Sequence, residues 1–135
     1  MELAFAWYLS QTSFGQIYTP YCRIEIQKRN EKWLKRELKI DIGADMTLME
    51  RHDLTALGYN LTDCDEIDFR NINNEEFPTS MRRFNIRIGE FLINGVPIAF
   101  SYRPIKNPVL GRAKVFDSID IFFDRRMKHT IFSSL

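Results

Sequence analysis

The segment Ile40-Asp41-Ile42-Gly43-Ala44-Asp45-Met46-Thr47-Leu48-Met49 decides how this sequence is interpreted. An apolar run leads into Asp41, Gly43 follows two residues later, and an amphipathic segment begins soon after. Because glycine permits a tight turn, a carboxylate at this strand end is held rigidly and can still face a cleft. The segment therefore predicts a functional carboxylate at Asp41.

Length and charge limit the classes of protein that fit. The 135 residues are enough for one domain with a real core, and 44% of them are hydrophobic, so we expect residues 1–135 to form a single globular domain. The formal net charge is +1. The basic pairs Arg82-Arg83 and Arg125-Arg126 read as solvated turns. We therefore expect no nucleic-acid partner.

Cysteine content and hydropathy bear on the compartment. Cys22 and Cys64 could form one bridge, but two reduced thiols are the favoured interpretation. The sequence has no apolar run long enough for a membrane span, and its first residues lack the basic start of a signal peptide. We expect a cytoplasmic protein with no membrane partner.

Several segments alternate apolar and polar residues with the period of a half-buried strand. In residues 21–27, for example, Cys22, Ile24 and Ile26 fall on one face. The predicted strands are residues 3–9, 21–27, 33–40, 84–88, 91–93, 96–102, 119–123 and 129–132. Asn94-Gly95 is expected to form a two-residue hairpin turn. Short strands separated by turn signals predict an all-β domain, either a barrel or a sandwich.

Two short helices are expected among these strands. Apolar residues in 47–57 fall near helical spacing, and Gly58 follows as a stop. Thr47 and Glu50 have the spacing of a capping box, so Thr47 is either an N-cap or a residue that contacts substrate. Residues 113–117 predict the second helix.

The acidic segment 63–68 does not predict a metal site. A Ca²⁺-binding EF-hand loop needs glycine at its sixth position and glutamate at its twelfth. Counted from Asp63, those positions hold Asp68 and Asn74. His52 has no second His or Cys nearby and reads as a solvated helix residue.

The Asp41 segment resembles the active-site loop of retropepsin-like aspartic proteases, whose pattern is Asp-Thr/Ser-Gly-Ala. Leu57-Gly58 and Leu110-Gly111-Arg112 resemble two later parts of the family pattern, and residues 116–132 resemble the end of its cellular, single-domain members. The resemblance implies an all-β, closed β-barrel of the acid protease fold with one or two short helices.

The resemblance also implies a function and a set of roles. Asp41 would be the catalytic aspartate of an endopeptidase, and Gly43, Ala44 and Asp45 would complete the loop that meets a peptide or protein substrate. Because the chemistry needs two carboxylates and the chain has one such motif, the enzyme would be a homodimer with an Asp41/Asp41 dyad. No metal or organic cofactor is expected.

The family pattern further implies residues that support the site. Asp45 and Arg112 match positions that form an internal ion pair, and Gly111 belongs to the same second motif. Thr47 matches the Thr two residues beyond the family's second Asp. Ala44, a flap at residues 69–82 and residues near 104–110 would line apolar pockets for an extended peptide.

Two departures from the family pattern leave an alternative open. Ile42 replaces the Thr or Ser whose hydroxyl hydrogen-bonds across the dimer in the family, and isoleucine offers no donor or acceptor. Residues 69–82, at the place of the flap, contain no glycine. The alternative is a non-catalytic module of the same fold that binds peptides or mediates dimerisation.

Overall fold

The computed structural model describes residues 2–70 and 76–134, and most of these residues lie in strands. One α-helix, α1 (Arg51–Ala56), and one 3₁₀ turn at Leu61–Asp63 interrupt the strands of this described part. In chain order the strands are β1 (Glu2–Ala6), β2 (Tyr8–Thr12), β3 (Gly15–Thr19), β4 (Tyr21–Gln27), β5 (Trp33–Ile40), β6 (Thr47–Glu50), β7 (Asp65–Arg70), β8 (Glu76–Ile88), β9 (Phe91–Ser101), β10 (Val109–Leu110), β11 (Ile119–Asp124) and β12 (His129–Ser134).

Six of these strands close into a barrel. Hydrogen-bonded neighbours follow the order β4-β5-β10-β6-β9-β8, and β8 pairs again with β4, where Ile26 lies opposite Ile86. Closure removes the free edges that an open sheet would expose. Strand β7 lies outside the ring as the antiparallel partner of β8. The prediction of an all-β closed barrel is confirmed.

The alternating strands direct their apolar residues into the barrel, as the sequence predicts. Ile24 and Ile26 of β4, Leu38 of β5 and Ile86 of β8 are completely buried. Each such side chain contributes about 1.5–3 kcal/mol of burial free energy. The strands that carry the Asp41 loop are therefore held by the main core of the protein.

Two smaller sheets stand beside the barrel. Strands β1, β12 and β11 form one antiparallel sheet, and β2 and β3 form a hairpin of their own. The predicted strand at residues 3–9 is therefore wrong in part, because the chain passes from one sheet to another at Trp7. In the described part of the chain, no helix is long and apolar enough to cross a membrane.

The predicted hairpin turn at Asn94-Gly95 is wrong. Strand β9 runs through both residues, and the β8–β9 hairpin turns at Gly89 and Glu90 instead. Gly95 has a φ of 69°, and the register shifts there, so that two residues of β9 lie opposite Asn85 of β8. The dipeptide is a β-bulge, which uses the same positive φ as a turn.

The two predicted helices also differ from the structure. Thr47 and Glu50 lie in strand β6, so the Thr47 N-cap is wrong, and α1 begins only at Arg51. Residues 113–118 form consecutive turns rather than a helix. Lys114 has a φ of 67°, in the left-handed region, which a right-handed helix cannot include.

The two cysteines are unpaired, as predicted. Burial raises the pKa of the Cys22 thiol to about 12. Burial also raises the pKa of the Cys64 thiol, although the neighbouring Arg82 charge opposes this shift. Both groups are therefore protonated thiols at neutral pH, and neither has the lowered pKa of a reactive cysteine.

A buried carboxylate fastens α1 to the barrel. Asp53 is 2% exposed; its Oδ1 accepts a hydrogen bond from Arg36 Nε of β5 at 2.8 Å, and its Oδ2 accepts one from the Glu50 backbone N–H at 3.1 Å. Asp53 therefore caps the helix from its third position and neutralises Arg36.

We predict that Asp53→Ala lowers the free energy of unfolding by about 2–3 kcal/mol. The variant loses a helix cap, and it leaves the partly buried Arg36 guanidinium without its carboxylate partner. Urea denaturation measures the loss. Thr55→Ala is the matched control, since Thr55 is exposed on the same helix and its replacement should cost less than about 0.5 kcal/mol. Equal losses in the two variants would contradict this role for Asp53.

Candidate active site

The Asp41 loop begins where strand β5 ends, and neighbouring backbone fixes that point on two sides. The Ile40 N–H donates to the Pro20 carbonyl oxygen at 2.9 Å, and the Asp41 N–H donates to the Leu110 carbonyl oxygen at 3.0 Å. The second bond extends the parallel pairing of β5 with β10, in which Ile40 lies beside Leu110. Asp41 is thus positioned by the last step of a sheet ladder.

The loop itself orients the Asp41 carboxylate. The Gly43 N–H donates to Asp41 Oδ1 at 3.0 Å, and the Ala44 N–H donates to the Asp41 carbonyl oxygen at 3.2 Å. A Cβ at position 43 would lie 3.3 Å from the same Oδ1, so glycine leaves room for this bond. Asp41 is half-buried, so the oriented carboxylate still reaches solvent.

The far side of the loop is tied to the residues after β10. The Arg112 N–H donates to the Ala44 carbonyl oxygen and the Ala113 N–H to the Asp45 carbonyl oxygen, both at 2.9 Å. The Arg112 guanidinium also pairs with the Asp45 carboxylate, which is the ion pair that the family resemblance implies. Since these side chains are 57% and 88% exposed, the backbone bonds hold the loop more than the ion pair does.

Thr47 and Gly111 form the buried joint between the loop and β10. The Gly111 N–H donates to Thr47 Oγ1 at 3.1 Å, and Thr47 is 1% exposed. A Cβ at position 111 would lie 2.3 Å from the Met46 carbonyl carbon, a distance that no other residue tolerates without displacing backbone. The Thr47 hydroxyl thus faces the protein interior, where it binds backbone rather than ligand.

Ile42 projects from the same loop toward solvent. Its side chain is 58% exposed, although it lies between Asp41 and Gly43 on a rigidly tied turn. An isoleucine in this position supplies apolar surface and no hydrogen-bonding group.

The segment predicted as a flap, residues 69–82, falls on strands β7 and β8. Strand β7 pairs with β8 from Asp65 opposite Met81 to Arg70 opposite Glu76. Residues 71–75, which include the predicted turn residues Asn71, Asn73 and Asn74, lie outside the described residues. Within the described ranges, no three His, Cys, Asp or Glu residues are grouped so that they could hold a metal ion.

The family resemblance implies one site with Asp41, Gly43, Ala44, Asp45, Gly111 and Arg112, and the structure brings these residues together around one loop. The sequence did not indicate two backbone acceptors of this site. These are the Pro20 carbonyl oxygen, which accepts from the Ile40 N–H, and the Leu110 carbonyl oxygen, which accepts from the Asp41 N–H. Every residue has a backbone carbonyl group, so the residue type does not reveal which carbonyl accepts a hydrogen bond. Only the apolar run before Gly111 could have indicated the contact with Leu110.

The comparisons with known proteins identify the fold. No protein-family model matches the chain, and no curated protein matches it by sequence. Among solved structures, the chain is similar to a retropepsin-like aspartic protease from Rickettsia conorii. The match has a TM-score of 0.68 and 16% sequence identity, and it covers 98% of this chain and 89% of that chain. The fold is therefore retropepsin-like, as the sequence resemblance implied.

We predict that Thr47→Val lowers the free energy of unfolding by about 1–3 kcal/mol, because an isosteric methyl group leaves the buried Gly111 N–H without an acceptor. Thermal or urea unfolding measures the loss. Thr47→Ser is the control, since it keeps the hydroxyl and loses only a methyl group. If the serine variant were the less stable of the two, packing rather than the hydrogen bond would be the role of Thr47.

Proposed function

We propose that this chain is an aspartic endopeptidase that acts as a homodimer, with Asp41 of each copy in one catalytic site. The observation that carries the proposal is the Asp41 carboxylate, oriented by the Gly43 N–H and tied to β10 within a retropepsin-like fold. A similar solved structure is that of an aspartic protease, which supports the same chemistry here.

A second copy is needed because one carboxylate cannot act as acid and base at once. Two carboxyl groups about 3 Å apart cannot both ionise, so the pair shares one proton and titrates as a unit. In the dimer, the ionised Asp41 removes a proton from water while the water oxygen attacks the peptide carbonyl carbon. The protonated Asp41 gives its proton to the carbonyl oxygen.

The resulting gem-diol collapses when the protonated Asp41 gives its proton to the amide nitrogen and the carbon–nitrogen bond breaks. In the same step the other Asp41 takes a proton from one hydroxyl of the diol. The products are a carboxylic acid and an amine, and the pair again holds one shared proton. The chain must hold the Asp41 carboxylate of each copy in place for this chemistry. The Gly43 N–H binds its Oδ1, and the β5–β10 ladder fixes the backbone that carries it.

The substrate class follows from the surroundings of the loop. We propose that Ala44, the β7–β8 hairpin and residues 104–110 bind an extended peptide with apolar side chains next to the cleaved bond. The two unpaired cysteines suit a reducing compartment, so we place the activity in the cytoplasm.

One observation favours a second candidate, a non-catalytic peptide-binding or dimerisation module. Ile42 is 58% exposed and lacks the hydroxyl that the family uses across the dimer. Without that link the two Asp41 carboxylates would need another contact to fix their separation. The endopeptidase is preferred because Asp41 and its orienting Gly43 N–H are both present.

We predict that the wild-type protein cleaves a mixed peptide library and that Asp41→Asn lowers cleavage by at least about 10³-fold, because an amide cannot serve as the base. Mass spectrometry of products from acid to neutral pH measures the change. Glu31→Gln, at an exposed position before the start of β5 and so at the opposite end of that strand from Asp41, is the matched control.

Cleavage should rise with the square of protein concentration below the dimerisation constant, since each site needs two copies. A wild-type dimer without cleavage at any pH would favour the non-catalytic module. Cleavage that survives Asp41→Asn would reject Asp41 as the catalytic group.

We predict that Ile42→Thr dimerises about tenfold more tightly than Ile42→Val, because the two side chains share a shape and only threonine can hydrogen-bond across the interface. Sedimentation equilibrium over a range of concentrations gives both constants. Equal dimerisation of the two isosteric variants would mean that the Asp41 loops do not meet in the dimer.

A further inference from the structure

We propose that the β2–β3 hairpin, residues 8–19, is an intermolecular arm that packs on a second copy of this chain. The inference rests on the dimer of the proposed function and adds the surface that holds it. It does not depend on peptide cleavage.

The hairpin forms a sheet of its own, and Tyr8 at its root ties it to the barrel by stacking on Tyr21 and by a hydrogen bond from its hydroxyl to Glu37. Strands β2 and β3 pair with each other from Tyr8 opposite Thr19 to Thr12 opposite Gly15, and they form a separate two-stranded sheet. Within residues 2–70 and 76–134, no third strand pairs with either outer edge of the hairpin. A two-stranded hairpin is marginally stable in water unless something packs against it.

The hairpin exposes apolar side chains that a free surface would leave in water. Phe14 at the tip is 95% exposed, Leu9 is 54% exposed, Ile17 is 48% exposed and Tyr18 is 51% exposed. Single exposed apolar residues are ordinary, but a cluster on one projecting element marks an interaction site.

These side chains lie on both faces of the hairpin. Leu9 is directly opposite Tyr18, so the two share one face, while Ile17 is opposite Ser10 on the other face. The hairpin cannot cover both faces and the Phe14 tip by folding onto its own barrel. A partner that encloses the arm can cover all three.

The composition of the region matches an interface more than a solvated loop. Residues 3–22 contain no Asp, Glu, Lys, Arg or His, whereas 27% of the whole chain is charged. Interface cores are depleted in charge and enriched in tyrosine and phenylalanine.

The polar residues of the hairpin favour a protein partner over a membrane. Gln11, Gln16 and Ser10 add hydrogen-bonding groups that a protein partner can satisfy and a hydrocarbon layer cannot. Surface-bound membrane segments instead carry lysine and arginine on the inserting element.

One of the two roots of the hairpin lies beside the Asp41 loop. On leaving β3 the chain reaches Pro20, whose carbonyl oxygen accepts the Ile40 N–H directly before Asp41. At the other root, the Trp7 N–H donates to the Lys128 carbonyl oxygen at 2.8 Å, and Trp7 Nε1 donates to Thr130 Oγ1 at 2.8 Å. A dimer that brings two Asp41 loops together therefore brings two hairpin roots close to the other copy.

The exposed area supports a second copy as the occupant. The four side chains leave roughly 450 Å² in water on each copy, while a stable interface buries about 800 Å² per partner. Ile42 alone offers one side chain at the loop contact. The hairpin can thus supply about half of the area per partner that a stable interface buries.

The test compares dimerisation of the full chain with that of a Leu9→Gln/Phe14→Ser double variant, by sedimentation equilibrium. Both positions are exposed, so the barrel should keep the wild-type unfolding midpoint and circular dichroism. We expect the dimerisation constant of the double variant to weaken by about 100-fold or more, since both arms lose their apolar contacts. Leu92→Gln is the matched control, because Leu92 is 58% exposed on β9 and should leave dimerisation unchanged.

A double variant that dimerises like the wild type would overturn the proposal. A monomeric wild type would also overturn it. If that monomer bound phosphatidylcholine and phosphatidylserine vesicles and the double variant did not, the occupant of the arm would be a membrane. Peptide cleavage that is lost in Asp41→Asn tests the proposed function separately from this inference.

A dimer that needs the arm but never cleaves peptides would support the arm and reject the peptidase. Cleavage together with normal dimerisation of the double variant would support the peptidase and reject the arm.

Discussion

The close approach of Gly111 to the Met46–Thr47 backbone is the constraint on which the site depends. A Cβ at position 111 would lie 2.3 Å from the Met46 carbonyl carbon and 2.8 Å from the Thr47 nitrogen. Without a side chain there, the short strand β10 fits between β5 and β6 and pairs with both. That insertion brings the Leu110 carbonyl oxygen to the Asp41 N–H and the Arg112 N–H to the Ala44 carbonyl oxygen. The position of the carboxylate thus follows from the absence of a side chain some seventy residues later.

The sequence predicts the barrel well where one face of a strand meets the core and the other meets water. In β4 and β5 apolar and polar residues therefore alternate, and the buried Ile24 and Leu38 lie at apolar positions of this pattern. Asp41 and Gly43 could be placed because a tight turn that presents a carboxylate needs glycine. The residues around them could be placed because the segment resembles the active-site loop of a known family. Both kinds of information are local in the chain.

The failures arise where pairing with distant residues overrides a local signal. Thr47 and Glu50 match a capping box, but β6 pairs in parallel with β9, and the Thr47 hydroxyl accepts from Gly111 instead. Asn94-Gly95 matches a turn, but β9 continues through it because the same positive φ fits a bulge opposite Asn85. At Gly95 the positive φ was used in a bulge, and at Thr47 the hydroxyl accepts from a residue that is distant in the sequence. Neither partner could be known from the sequence.

A site completed by two copies makes the association free energy part of the conditions for catalysis. In the proposed dimer, Ile42 removes a hydrogen bond across the interface, and the uncharged β2–β3 hairpin supplies apolar area instead. Apolar contact is strong but non-directional, so it holds two copies together without fixing the distance between two carboxylates. That distance must then be set inside each copy, by the Gly43 N–H on Asp41 Oδ1 and by the β5–β10 ladder. The dense backbone hydrogen bonding around the Asp41 loop meets this requirement, because it fixes the geometry of each half of the site before the two copies associate.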